Sequence, residues 1–84
     1  MKTTLTDEQK ICLTWLELMK PSLRETTYKQ VKSCIRHNKR VAVRNMSDFE
    51  RECLKVFKKD RNHDFILECI SIQEKIREIY DNIK

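Results

Sequence analysis

Apolar residues recur along most of this chain at spacings of three and four, the period that gathers them on one face of an α-helix. The first such segment contains Ile11, Cys12, Trp15, Leu16, Leu18 and Met19. Thr6 and Gln9 match the capping-box pattern that starts a helix, and Pro21 disfavours helical backbone at the residue before it. We therefore expect a first helix that begins after Thr6 and ends near Met19.

A second apolar face predicts a helix over about residues 23–38. Its members are Tyr28, Val31, Cys34 and Ile35. The alternative N-terminal caps are Ser22, Thr26 and Thr27. Asn38 is suited to end this helix, because asparagine tolerates left-handed backbone. Residues 39–45 alternate polar with apolar side chains, a pattern compatible with an extended connector and equally with a last helical turn.

The third predicted helix runs from about Asp48 to Lys59. Ser47 and Glu50 form a second capping-box pattern, and Met46 is placed for the hydrophobic staple that often accompanies one. The apolar face of this helix consists of Phe49, Cys53, Leu54, Val56 and Phe57.

The last apolar pattern is the longest, and Asn62 or His63 is expected to cap its helix. Its seam has the alternating spacings of a coiled coil, on Phe65, Cys69, Ile72, Ile76, Ile79 and Ile83. Ile66 and Ile70 widen the face in the first half only, so we expect that half to complete the monomer core. The second half is then expected to project and form a homodimer through Ile76, Ile79, Tyr80 and Ile83. In the alternative, the whole helix packs along its own bundle.

Composition supports one helical domain over residues 1–84. The chain has no glycine, one proline and 37% charged residues. Because glycine supplies left-handed turns and phosphate-cradling loops, its absence argues against P-loops and dinucleotide-binding folds. We predict an all-α compact bundle of about four helices. The composition, rich in Lys, Ile, Glu and Asn, resembles that of short accessory proteins of AT-rich bacteriophages.

The sequence favours a soluble, cytoplasmic protein. No apolar run approaches the 18 residues of a membrane-spanning helix, and the first six residues lack the apolar core of a signal peptide. The four cysteines are therefore expected to be reduced thiols.

Positive charge is concentrated in residues 20–44. That window holds eight basic residues and one acidic residue, a net charge of +7, whereas the rest of the chain holds ten basic and twelve acidic residues. A field of one sign on a small protein attracts polyanions, and nucleic acid is the most common polyanion in cells.

Part of this charge forms a stripe on the second predicted helix. Lys29, Lys32, Arg36 and Arg40 follow spacings of three and four, about 120° from the apolar face. Like charges at these spacings destabilise a helix, and a bound polyanion would remove that repulsion. The predicted nucleic-acid-binding residues are Lys29, Lys32, Arg36, Lys39, Arg40 and Arg44.

No catalytic or metal site is expected, and no cofactor. Cys34 and His37 are the only Cys/His pair at metal-ligand spacing, and no second pair completes a zinc site. Each cysteine falls on an apolar face, where a thiol serves as a small hydrophobic side chain. His63 and Asp64 match the dipeptide of metal-dependent phosphohydrolases, but the further ligands of such enzymes are absent. We therefore expect a protein that is not an enzyme.

Two functions are compatible with these features. The first is binding to a nucleic-acid backbone, with RNA slightly favoured over DNA. Backbone recognition is favoured over base stacking because aromatic residues are scarce and only Tyr28 lies near the stripe. The second is a non-enzymatic inhibitor or adaptor that docks on an acidic protein, such as a host toxin, nuclease or polymerase. The phage-like composition implies that second class.

Overall fold

The computed structural model describes residues 4–83 of the chain, and within them the fold is all-α, as predicted. Its helices are α1 (Asp7–Met19), α2 (Glu25–His37), α3 (Val43–Lys59) and α4 (His63–Asn82), with a short 3-10 turn (Lys20–Ser22) after α1. Among residues 4–83, no helix has both the length and the apolar character needed to cross a bilayer.

A single core joins all four helices and one loop residue. Buried apolar side chains come from α1 (Cys12, Trp15, Leu16, Met19), α2 (Tyr28, Val31, Cys34, Ile35), the loop (Val41), α3 (Met46, Phe49, Cys53) and α4 (Cys69, Ile76). The helix α4 packs against each of the other three helices. The core therefore depends on contacts that are distant in sequence.

The predicted boundaries of α1 are confirmed. The Thr6 hydroxyl accepts from the Gln9 backbone N–H at 3.1 Å, and the Gln9 side chain accepts from the Thr6 backbone N–H at 2.8 Å. The Gln9 amide also donates to the Ile35 carbonyl at 3.0 Å. This capping residue therefore links the start of α1 to the end of α2.

The end of α2 is confirmed, and its start at Glu25 is close to the predicted one, but none of the three candidate caps is its N-cap. Asn38 has left-handed backbone, with φ 52° and ψ 36°. The N-cap, however, is Arg24, whose side chain makes no capping hydrogen bond. Thr27 cannot act as the cap, because its side chain is buried and its hydroxyl donates to Asp48 of α3.

The predicted start of α3 is wrong, since the helix begins at Val43 and not at Asp48. Met46 is fully buried on the same face as Phe49, so this turn gains core contacts by being helical. The Glu50 carboxylate, expected to bond back to Ser47, accepts instead from Gln73 and Arg77 of α4, each at 3.0 Å. The sequence pattern leaves the conformation of residues 39–45 open. In the structure the connector between α2 and α3 covers residues 38–42, and the chain is helical from Val43 onward.

Both halves of α4 contribute to the monomer core, the first through Cys69 and the second through Ile76. In the first half, Phe65 is 37% exposed and Leu67 is exposed, although Cys69 is buried. In the second half, Ile76 is fully buried and Arg77 pairs with Glu50 of α3 at 3.0 Å. The alternative prediction, that α4 packs along its own bundle, therefore describes its C-terminal half.

The four residues predicted to form a dimer interface pack within the monomer in this structure. Ile76 belongs to the monomer core, and Ile79, Tyr80 and Ile83 are half-buried against that core. The Tyr80 hydroxyl lies 3.4 Å from the Val41 carbonyl, to which it donates. The expectation that this half of α4 projects from the bundle is wrong, whereas the homodimer stays a prediction.

Candidate nucleic-acid interface

The six predicted cationic residues lie on α2, on the connector and on the first turn of α3. Five of them are exposed and Lys32 is half-buried. Arg36 follows Lys29 and Lys32 along the outer face of α2, and Lys39 and Arg40 continue into the connector. Among the ion pairs of residues 4–83, only Lys29 of this set takes part. The surface therefore carries an excess of cations whose charge is not neutralised by the protein.

The Lys29 ammonium lies 3.0 Å from the Glu25 carboxylate one turn earlier. The hydrogen bond from Lys29 holds the pKa of Glu25 below its usual value. Both side chains are largely exposed, so this pair contributes little to stability and is readily exchanged for a contact with another anion.

Tyr28 organises two lysines instead of offering a stacking surface. Its side chain is 8% exposed, and its hydroxyl donates to the Glu17 carboxylate, a bond that raises the pKa of the phenol. The ammonium groups of Lys20 and Lys32 lie 5.0 Å and 5.6 Å from the ring centroid, within cation–π distance. Tyr28 therefore positions Lys20 and Lys32, and Lys20 is a cation of this surface that the predicted set omitted.

A polar cleft lies where the first turn of α2 meets the start of α3, and we call it the arginine cleft. It has a volume of about 350 Å³ and is lined by Arg24, Thr26, Thr27, Arg44, Asn45, Asp48 and Arg51. The connector brings these segments together although they are some twenty residues apart in sequence. Only one of the six predicted residues, Arg44, lines this cleft.

The single carboxylate of the cleft is already engaged. Asp48 accepts a hydrogen bond of 2.8 Å from the Thr27 hydroxyl, and its second oxygen lies 3.9 Å from an Arg51 guanidinium nitrogen. The lining of the cleft therefore includes three guanidinium groups and one half-buried carboxylate. Neither Arg24 nor Arg44 takes part in the ion pairs found among residues 4–83. The cleft carries a formal charge of +2.

Helix ends add to this positive potential. The first turn of a helix has backbone N–H groups with no intrahelical acceptor. The N-caps of α2 and α3 are Arg24 and Ala42, and neither side chain accepts a hydrogen bond from these groups. The first turn of α3 also contains no acidic residue. A cation at a helix N-terminus is disfavoured by about 0.3–1 kcal/mol. The first turn of α2 contains Glu25, which pairs with Lys29. Arg24 and Arg44 both lie at helix N-termini, where the helix dipole stabilises neither charge and a bound anion would stabilise both.

A helix start at Asp48, as predicted, leaves Arg44 outside α3 and so hides the cleft from the sequence. With the helix beginning at Val43, Arg44 and Arg51 are seven residues apart on one helix face, with Asp48 between them. That spacing was visible in the sequence. The contribution of Arg24 had no comparable local signal, since it depends on the packing of α2 against α3.

An apolar groove forms a second surface feature, between α1 and the first half of α4. It has a volume of about 270 Å³ and is lined by Ile11, Thr14, Trp15, Leu18, Phe65, Glu68, Cys69 and Ile72. Leu18 is 65% exposed at its edge. The groove exists because the first half of α4 leaves Phe65 partly uncovered.

The cysteines do not form a reactive site. All four are buried free thiols, and burial raises the pKa of each, to about 11 for Cys12 and about 12 for Cys53. The indole N–H of Trp15 is buried and has no hydrogen-bond partner among the described residues. Cys34 is buried and His37 is exposed. Within residues 4–83 no three Cys, His, Asp or Glu side chains cluster as metal ligands.

Comparisons with protein-family models, with curated proteins and with solved structures found no match for this chain. A function is therefore inferred from the geometry and charge of these surfaces.

Proposed function

We propose that this protein binds nucleic acid through the backbone phosphates, using the cationic surface formed by α2, the connector and the start of α3. The observation that carries the proposal is the set of exposed cations on residues 29–44, of which only Lys29 has an ion-pair partner among residues 4–83. Phosphate contacts of this kind supply affinity without base specificity.

The mode of binding follows from what the surface offers. Tyr28 is buried and its hydroxyl donates a hydrogen bond to Glu17, so base stacking on the Tyr28 ring is not part of the proposal. Exposed Arg36, Lys39 and Arg40 supply long, flexible cationic side chains that reach phosphate oxygens on a strand or duplex. Recognition is therefore of backbone and shape, with RNA slightly favoured over DNA.

The test is fluorescence anisotropy of labelled RNA and DNA oligomers across a salt series. If four to six phosphates are contacted, the logarithm of the affinity should fall with the logarithm of salt concentration with a slope of roughly −3 to −5. Negligible binding of both oligomers at low salt would exclude the proposed function.

Charge reversal locates the surface. The variant with Arg36, Lys39 and Arg40 each changed to Glu should lose binding while keeping its helical circular dichroism, because all three side chains are exposed. The matched control changes Lys58, Lys59 and Arg61 to Glu, which alters net charge equally at exposed positions elsewhere. Equal losses in both variants would mean that net charge alone, and not this surface, determines binding.

The alternative function, a non-enzymatic inhibitor or adaptor, is favoured by one observation. The apolar groove beside Leu18 and Phe65 exposes side chains of the kind that protein interfaces bury. Affinity capture with and without nuclease treatment separates the two functions. A protein partner whose capture survives nuclease and is lost in Leu18→Glu would support the alternative.

A further inference from the structure

The arginine cleft has the donors and the charge of a phosphate site. Arg24, Arg44 and Arg51 surround it, and the hydroxyl of Thr26 and the amide of Asn45 add neutral donors. Its one carboxylate, on Asp48, already accepts from Thr27. Guanidinium groups match phosphate oxygens through paired hydrogen bonds, so an arginine cluster selects phosphate over a simple halide.

The charge of the cleft favours a phosphate monoester over a phosphodiester. Three guanidinium groups and the Asp48 carboxylate give a formal charge of +2 in one cavity. A phosphate monoester carries a charge of about −1.5 to −2 near neutral pH, whereas a backbone phosphodiester carries a single charge. A terminal phosphate also enters a concave site with a chain on one side only, while an internal phosphate brings a sugar on both sides.

The position of the cleft connects it to the cationic surface. Arg44 lines the cleft and is also the last residue of the cationic stretch 29–44, so the two features are continuous through that side chain. We propose that the arginine cleft binds the terminal phosphate monoester of a nucleic-acid strand whose backbone then follows the cationic surface. This inference rests on the proposed function, since it assigns the end of the strand to one site.

The experiment compares otherwise identical labelled RNA oligomers that end in a 5′-phosphate, a 3′-phosphate or hydroxyl groups only, with the unmodified protein at fixed salt. One of the two phosphorylated oligomers should bind about tenfold more tightly than the hydroxyl-ended one, because its terminal phosphate adds charged hydrogen bonds with the arginines of the cleft. Inorganic phosphate should reduce that advantage. These comparisons need no variant, so they do not depend on how a substitution folds.

Variants then locate the phosphate. In Arg24→Gln with Arg51→Gln the advantage of the phosphorylated oligomer should disappear, while binding of the hydroxyl-ended oligomer is largely kept, because neither residue belongs to the stretch 29–44. The control is Arg61→Gln, which removes an exposed arginine outside the cleft and should keep the advantage. A lysine variant, Arg24→Lys, keeps the charge and loses the paired hydrogen bonds, so it should keep part of the affinity advantage of the phosphorylated oligomer.

The failures of the two proposals are distinguishable. Equal, salt-dependent affinities for all three oligomers would overturn the terminal-phosphate site and leave the proposed function standing. An advantage that persists in the double glutamine variant would overturn the assignment to the cleft. A preference for a phosphoserine peptide over its unphosphorylated form, without binding to any oligomer, would overturn both proposals.

Discussion

The hydroxyl of Thr27 donates a hydrogen bond of 2.8 Å to the carboxylate of Asp48, and this contact joins the first turn of α2 to α3. Thr27 is 2% exposed, so the bond lies inside the protein although it borders the arginine cleft. The same carboxylate lies 3.9 Å from Arg51. This part-buried contact therefore links the two helices at the edge of the arginine cleft.

Removing that hydrogen bond should lower stability. In Thr27→Val the side chain keeps its shape but the carboxylate of Asp48 loses its donor, and we expect the free energy of unfolding to fall by about 1–3 kcal/mol. Urea unfolding followed by circular dichroism measures this change. The control is Thr26→Val, an exposed neighbour in the same turn, for which a change within about 0.5 kcal/mol is expected. Similar losses in both variants would show that the hydroxyl of Thr27 is not special.

A serine substitution tests where α3 begins. Because Ser47 lies inside the helix and is exposed, Ser47→Ala should change the free energy of unfolding by less than about 0.5 kcal/mol. Thr6→Ala removes the capping box of α1 and should lower it by about 1 kcal/mol. If Ser47→Ala lowers stability as much as Thr6→Ala does, the helix begins at Asp48 after all.

Local patterns predicted the features whose partners lie within a few residues. The capping box of Thr6 and Gln9 and the left-handed Asn38 depend on backbone groups that are close in sequence. The start of α3 depends on partners in other helices, since Glu50 bonds to α4 and Met46 enters the shared core. A capping-box pattern in the sequence does not reveal that the Glu50 side chain has partners in another helix.

The candidate site likewise has one part that follows from local sequence and one that depends on distant contacts. The cationic stretch 29–44 follows from composition and helical spacing alone. The arginine cleft requires the register of α3 and the approach of Arg24, and both arise from tertiary packing. The heptad seam of α4 was correct as a pattern, but a seam does not say whether the covering surface is a second chain or, as for Ile76, the same chain.

Truncation of Ile76 should destabilise the monomer and not merely separate two copies. Its side chain is fully buried within the chain, so Ile76→Ala should lower the free energy of unfolding by about 2–5 kcal/mol. Leu67→Ala, at an exposed position of the same helix, should lower it by less than about 1 kcal/mol. Light scattering on each variant gives the solution mass. A folded Ile76→Ala protein of unchanged stability and reduced mass would instead place Ile76 in a dimer interface.

The buried thiols should make stability fall at high pH. Burial raises the pKa of Cys12 to about 11 and that of Cys53 to about 12, above the ordinary value of 9.0 expected in the unfolded chain. Because the unfolded thiols ionise first, their contribution to stability is complete below pH 9 and is lost as the pH rises from there toward the native values. Urea unfolding at a series of pH values should therefore show a decline that begins near pH 9.

A cysteine variant separates this effect from the titration of lysine and tyrosine over the same range. Cys12→Ala removes one raised pKa and leaves the lysines and tyrosines unchanged, so its free energy of unfolding should decline less steeply above pH 9 than that of the unmodified protein. Its stability at neutral pH should be somewhat lower, since a fully buried side chain is shortened. Parallel declines in the two proteins would mean that Cys12 ionises as easily in the native state as in the unfolded chain, which its burial between the helices of the core argues against.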